Sequence, residues 1–114
     1  MTQPTATQWI TLCDRTDLIP FSGVAAKWEQ QQVALFYLPD FENEVYALSN
    51  NDPFSRANVL ARGLVGDLQG EPCVASPLYK QHFSLRTGAC LEDSSVQVTR
   101  WPARIREGRV EIGL

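Results

Sequence analysis

Short apolar runs, each closed within a few residues by a turn cluster, dominate this chain and leave room for little but antiparallel sheet. Gly23 to Trp28 and Gln32 to Leu38 are rich in Val, Phe and Tyr, and the polar Glu29-Gln30-Gln31 between them reads as the turn of a β-hairpin. Pro39 to Glu44 is a turn cluster, and Val45-Tyr46-Ala47-Leu48 is the next strand. Gln8 to Leu12 alternates around Trp9 and Ile10. Cys73 to Ser76 is a short strand opened by Pro72, and His82 to Leu85 is another, closed by Thr87-Gly88. The plainest hairpin is Ala103 to Arg106, Glu107-Gly108, Arg109 to Ile112, with Ile105 on one face and Val110 and Ile112 on one face of the partner strand. Two short helical segments are expected: a turn over Asp14 to Ile19 capped by Asp14, and a helix over Ser55 to Gly63 with Ser55 as cap and Gly63 as terminator. Gly63, Gly66 and Gly70 punctuate a turn-rich link. They follow no strand in a dinucleotide-binding pattern. The whole predicts an all-β antiparallel sandwich or small barrel, one domain over 1–114.

A chain of 114 residues can bury about two-thirds of its unfolded surface, so it needs no disulfide or metal to fold. Net charge is −3, which argues against a nucleic-acid or anionic-membrane partner, because phosphate binding draws on clustered Lys and Arg. No apolar run reaches the ~18 residues of a membrane span. Met1 to Gln8 has neither a basic start nor an apolar stretch, so no secretory signal is expected and the chain is assigned to the cytoplasm. Cys13, Cys73 and Cys90 are odd in number and lack Cys-x-x-Cys spacing, as suits packed thiols in a reducing compartment. A Cys–His pair would have to use His82, the sole histidine, and three packed thiols are the simpler reading. The acids Asp14, Asp17, Glu42, Glu44, Glu92 and Asp93 show no paired-carboxylate spacing. Lys80 and Arg86 could make a small cationic spot for a phosphate or carboxylate, against the plainer reading of solvated loop charges.

Ser76-Pro77-Leu78-Tyr79-Lys80-Gln81-His82-Phe83-Ser84-Leu85-Arg86-Thr87-Gly88 has the outline of an iron–sulfur loop. It resembles the Rieske segment Cys-Pro-x-His-Gly-x-x-Phe-x-x-x-Thr-Gly, keeping Pro77, Phe83, Thr87 and Gly88 and replacing Cys by Ser76 and His by Tyr79. With Asn51-Asp52-Pro53-Phe54-Ser55 and Leu60-Ala61-Arg62-Gly63 upstream, and Ser-Pro-Leu-Tyr-Lys-Gln as the most diagnostic piece, nearly the whole chain resembles the small subunits of bacterial NAD(P)H-dependent assimilatory nitrite reductases. These are Rieske-like domains without cluster ligands. The resemblance implies two loops packed at one end, Asn50 to Gly63 and Ser76 to Gln81, which would close on themselves through Pro53, Phe54 and Tyr79, Tyr79 filling the space of the missing cluster.

Counting back from Leu60 and Gly63 places the first degenerate ligand pair on Pro53 and Ser55, with a slip onto Asn51 or Asp52 left open. A Rieske centre needs two thiolates and two imidazoles, and no register supplies them. Ser55, Ser76 and Tyr79 offer neutral oxygens, and Asp52 is a hard ligand suited to Ca²⁺ or Mg²⁺ rather than iron–sulfide. No catalytic, cofactor-binding or metal-binding residue is therefore expected in this chain. The resemblance implies an accessory subunit of the enzyme that reduces nitrite to ammonium in nitrate assimilation. FAD, sirohaem and an iron–sulfur cluster would sit on the large subunit. Loops on a rigid sheet are natural contact surfaces, so Phe54, Arg56, Leu78, Tyr79, Lys80 and Gln81 are the candidate partner interface. The alternative is a cofactor-free binding or regulatory module of Rieske descent, unrelated to nitrite. A cluster-bearing ferredoxin fails on ligand count.

Overall fold

The computed structural model describes residues 8–41 and 43–114. The segment 1–7, read above for a targeting signal, and Glu42 of the turn cluster lie outside them. The strands are β1 (Trp9–Asp14), β2 (Ser22–Trp28), β3 (Gln31–Tyr37), β4 (Val45–Ser49), β5 (Asn51–Asp52), β6 (Ala57–Asn58), β7 (Leu64–Leu68), β8 (Glu71–Ala75), β9 (His82–Ser84), β10 (Arg100–Trp101), β11 (Ala103–Arg106) and β12 (Arg109–Gly113). They form three antiparallel sheets, β1–β12–β11, β10–β4–β3–β2 and β7–β8–β9, with a two-stranded ribbon β5–β6. No helix among the described residues is long and apolar enough to cross a membrane.

The four-stranded sheet stands between the other two, and β3 shows why. Its run Val33-Ala34-Leu35-Phe36-Tyr37 is buried throughout. Side chains alternate across a strand, so an unbroken apolar run means that both faces are covered. Ala34 and Phe36, with Tyr46 and Leu48 of β4, enter one core with Leu60, Val74, Phe83, Leu85, Cys90 and Val98. Val33, Leu35 and Tyr37, with Val45 and Ala47, enter a second core with Trp101, Ala103, Val110 and Ile112. Fully burying a side chain such as Phe36 or Phe83 contributes about 1.5–3 kcal/mol.

The expected hairpins form in register: Gly23 opposite Phe36, and Ile105 opposite Val110. The turn after β1 is a 3-10 turn over Arg15–Asp17, and its capping bond runs from the Asp14 backbone N–H to the Asp17 carboxylate (3.0 Å). The helix expected over Ser55 to Gly63 is not there. The segment holds β6 and a single 3-10 turn, Leu60–Arg62. Its first backbone donors are bonded locally in another shape: Phe54 N–H to the Asp52 carboxylate (2.9 Å), Arg56 N–H to the Asp52 carbonyl (2.7 Å) and Ala57 N–H to Ser55 Oγ (3.3 Å). Such side-chain bonds compete with a helix from its first turn, and Arg56 sits at φ 61°, outside the right-handed helical region.

Candidate functional site

The two diagnostic loops meet beside the first core, and their meeting point has a buried polar base and an exposed apolar tip. At the base, Asp52 and Ser76 are both fully buried. The Ser76 hydroxyl donates to Asp52 Oδ2 at 2.5 Å, joining residues from different loops. Asp52 Oδ1 takes the Phe54 N–H, the closed turn that an Asp-Pro sequence favours. Ser76 Oγ in turn accepts from Leu78 N–H (3.3 Å). Asn50, also buried, ties the same base to the sheet: its Oδ1 accepts from Ala61 N–H (2.7 Å) and its Nδ2 donates to Gln32 Oε1 (2.9 Å). The close approach of the loops is set by Gly63, where an added Cβ would lie 2.2 Å from the Ala75 carbonyl oxygen.

At the tip the order reverses. Phe54 is half out of the core, its ring tilted 45° to that of Phe83 with centroids 6.2 Å apart. Leu78 is 52% exposed and Tyr79 59% exposed. A turn closed by Lys80 N–H on the Ser76 carbonyl (3.1 Å) carries Tyr79 outward, and Lys80, like Arg56 on the other loop, takes a left-handed φ (66°). Tyr79 therefore does not plug the interior, as the sequence suggested. Between the loops, Asp52 and Ser76 bond to each other instead, and the Phe54 ring packs against Phe83. Phe54, Arg56, Leu78, Tyr79 and Lys80 all reach solvent, while Gln81 is half-buried. Pro53 is half-buried, as is Ser55, whose hydroxyl serves its own turn.

The remaining candidates do not assemble into chemistry. His82 Nδ1 lies 2.6 Å from Glu92 Oε2, and its backbone N–H donates to Glu92 Oε1 (2.8 Å). Cys90 Sγ also reaches Glu92 Oε1, at 3.6 Å. Burial pushes the Cys90 thiol above its ordinary value, as it does Cys13 and Cys73, so none is a primed thiolate. Arg86 turns to Glu71 (3.7 Å) rather than making a shared cationic spot with Lys80. No group of three His, Cys, Asp or Glu side chains that could hold a metal ion exists among the described residues.

A family model for the Rieske-like [2Fe–2S] domain matches residues 8–113, and the nitrite reductase (NADH) small subunit of Salmonella typhimurium is 45% identical over 105 residues, 92% of this chain and 96% of that one. The chain belongs to the Rieske-like family, among the nitrite reductase small subunits. The NMR structure of the Escherichia coli protein NirD, another such relative, is 44% identical and aligns with a TM-score of 0.81 over 92% of this chain and 94% of its own. A further match has a different architecture. A stretch of the nitrite reductase [NAD(P)H] large subunit of Klebsiella oxytoca is 43% identical over 105 residues, which is 92% of this chain and 11% of that protein.

The Rieske cluster does not fit the residues present here. Where it would need two thiolates and two imidazoles, the loops offer a carboxyl, hydroxyls and rings. The Ser76 hydroxyl is bonded directly to Asp52 Oδ2 at 2.5 Å, a separation that leaves no place for an iron between them. Asp52 lay within the sequence-level register ambiguity, and its pairing with Ser76 is what the structure adds. Asn50 had no sequence signal, being one more Asn at a strand end.

Proposed function

We propose that this chain is the small subunit of an NAD(P)H-dependent nitrite reductase, a single non-catalytic domain over 1–114 that completes a large catalytic subunit through the tip of its two loops. The observation that carries this reading is the near-full-length identity to nitrite reductase small subunits, combined with a loop base closed by Asp52 and Ser76. The Klebsiella oxytoca large subunit, which carries a related stretch within its own chain, supports the partner: there the two parts share one polypeptide. In this reading the complex reduces nitrite to ammonium in the cytoplasm during nitrate assimilation. FAD, sirohaem and an iron–sulfur cluster belong to the large subunit, and neither nucleic acid nor membrane is a partner.

The tip is suited to docking because Leu78 and Tyr79 are held out on a turn and Phe54 is only half packed, against Phe83. Phe54, Leu78 and Tyr79 supply area, Arg56 and Lys80 supply rim charge, and Gln81 anchors the second loop through its carbonyl to Ser76 N–H (2.9 Å). Co-expression with a large subunit from the same source tests it. The expected result is co-purification and a change in NADH-driven nitrite turnover, both weakened by Tyr79→Ala with Leu78→Ala. A chain that neither co-purifies nor alters turnover sinks the assignment.

A further inference from the structure

Three arginines are half-buried: Arg86, Arg100 and Arg104. Arg86 faces Glu71, and Arg104 lies over Trp9 with its Nε 2.6 Å from Glu111. The Arg100 guanidinium has no hydrogen-bond or ion-pair partner among the described residues. It stands on β10, opposite Leu48, while the next residue, Trp101, enters the second core. Desolvation holds the Arg100 guanidinium below the ordinary arginine value. An unpaired charge in that setting costs free energy, and proteins normally pair it.

Two shallow recesses lie beside Arg100. Arg100 borders a shallow groove of about 380 Å³ with Thr87, Gln97, Val98 and Thr99. The groove adjoins a second recess, about 180 Å³, where Gln97, Val98 and Thr99 meet Ser49 of β4 and Asn51 and Pro53 of the first loop. Among the described residues, Arg100 is the one ionisable group on either lining. The wall is held on both sides: Val98 N–H to the Gly88 carbonyl (2.9 Å), Ser49 N–H to the Thr99 carbonyl (2.8 Å), and the Gln97 side-chain amide to the Thr87 carbonyl (3.1 Å).

We propose that Arg100 and this groove form a binding site for a planar anion with two oxygens, the class that includes carboxylates and nitrite. The guanidinium fork matches such an anion with two parallel N–H bonds, and neighbouring hydroxyl and amide groups can take up its remaining lone pairs. The anion comes either free from solution or on a side chain of the large subunit. The second source rests on the function proposed above, and the first does not.

The test is a titration of the full ¹⁵N-labelled chain with sodium formate, then sodium nitrite, against sodium chloride at matched ionic strength. The expected result is a saturable shift at the Gln97 side-chain amide and at the Thr99 and Arg100 backbone amides. The shift should be absent with chloride, lost in Arg100→Gln and weakened in Arg100→Lys, with the remaining spectrum unchanged to certify the fold. Shifts that grow linearly, appear equally with chloride or survive in Arg100→Gln overturn the site. The source is then read from the complex. If the carboxylate belongs to the large subunit, Arg100→Gln weakens the complex by about tenfold or more, and formate competes only with the wild-type complex. If the anion is free, complex affinity ignores both. Failure of the two chains to associate at all refutes the proposed function and leaves the titration of the lone chain decisive for the site.

Discussion

The base and the tip of the loop pair occupy adjacent residues and obey opposite rules. At the base, Asn50, Asp52 and Ser76 are polar and buried, Asp52 and Ser76 bonded to each other across the loops and Asn50 bonded to Ala61 and to Gln32 of β3. At the tip, Phe54, Leu78 and Tyr79 are apolar or aromatic and face water. Folding alone favours the reverse arrangement, polar groups out and apolar groups in. The base explains itself as the structure that closes a fold whose relatives are described by a cluster. The tip has no such internal account, and in the function proposed above it is the part that meets the large subunit.

The sharpest way to break this contrast is to remove its keystone. Asp52→Ala strips Ser76 and the Phe54 N–H of their buried acceptor and is expected to cost about 3 kcal/mol in urea unfolding. A loss below about 1 kcal/mol would mean that the base does not hold the loops. Next in size is the coupling between the loops. A double-mutant cycle over Asp52→Ala and Ser76→Ala should return about 1–2 kcal/mol, and a null coupling would reduce the 2.5 Å contact to mere proximity. Tyr79→Ala should then change stability by at most about 0.5 kcal/mol, as for an exposed side chain, while weakening assembly. A loss several times larger would place its ring among the structural groups after all.

The smallest effect lies just beyond the tip, at Glu92. Burial pushes its carboxyl upward, but the hydrogen bonds from the His82 backbone and ring, and the charge of that ring, outweigh burial and hold it below its ordinary value of 4.5. A carboxyl whose folded value is depressed stabilises above its unfolded value and loses that contribution as pH falls through the folded one. The pair is well exposed, so solvent screens it. Stability measured from pH 6 downward should therefore slip by only a few tenths of a kcal/mol from this site once pH drops below about 4.5, and Glu92→Gln should remove that increment.

Much of the fold was legible because local pattern and tertiary burial agree in the hairpins β2–β3 and β11–β12. Strand β7 was not, since Leu64-Val65-Gly66-Asp67-Leu68 is broken by glycine, mostly exposed and held mainly by its partner β8. The residues 55–63 look helical by composition, yet Asp52 and Ser55 divert the backbone donors a helix would need. At the site, the missing ligands could be read from residue types alone. The Asp52–Ser76 bond could not, because it spans 24 positions and only the register of the folded loops reveals it. Arg100 was silent for a related reason: that its guanidinium meets no partner among the described residues leaves no mark on a sequence.

Strand β3 carries one more consequence. Because its alternate residues feed both cores, the four-stranded sheet is a common wall with no outer side. The domain consequently has no natural fracture plane: any fragment that kept β3 and β4 would leave one of their apolar faces bare. It must come and go as a whole, which suits a module that exists in nature both as a separate chain and as a short stretch of a much longer one.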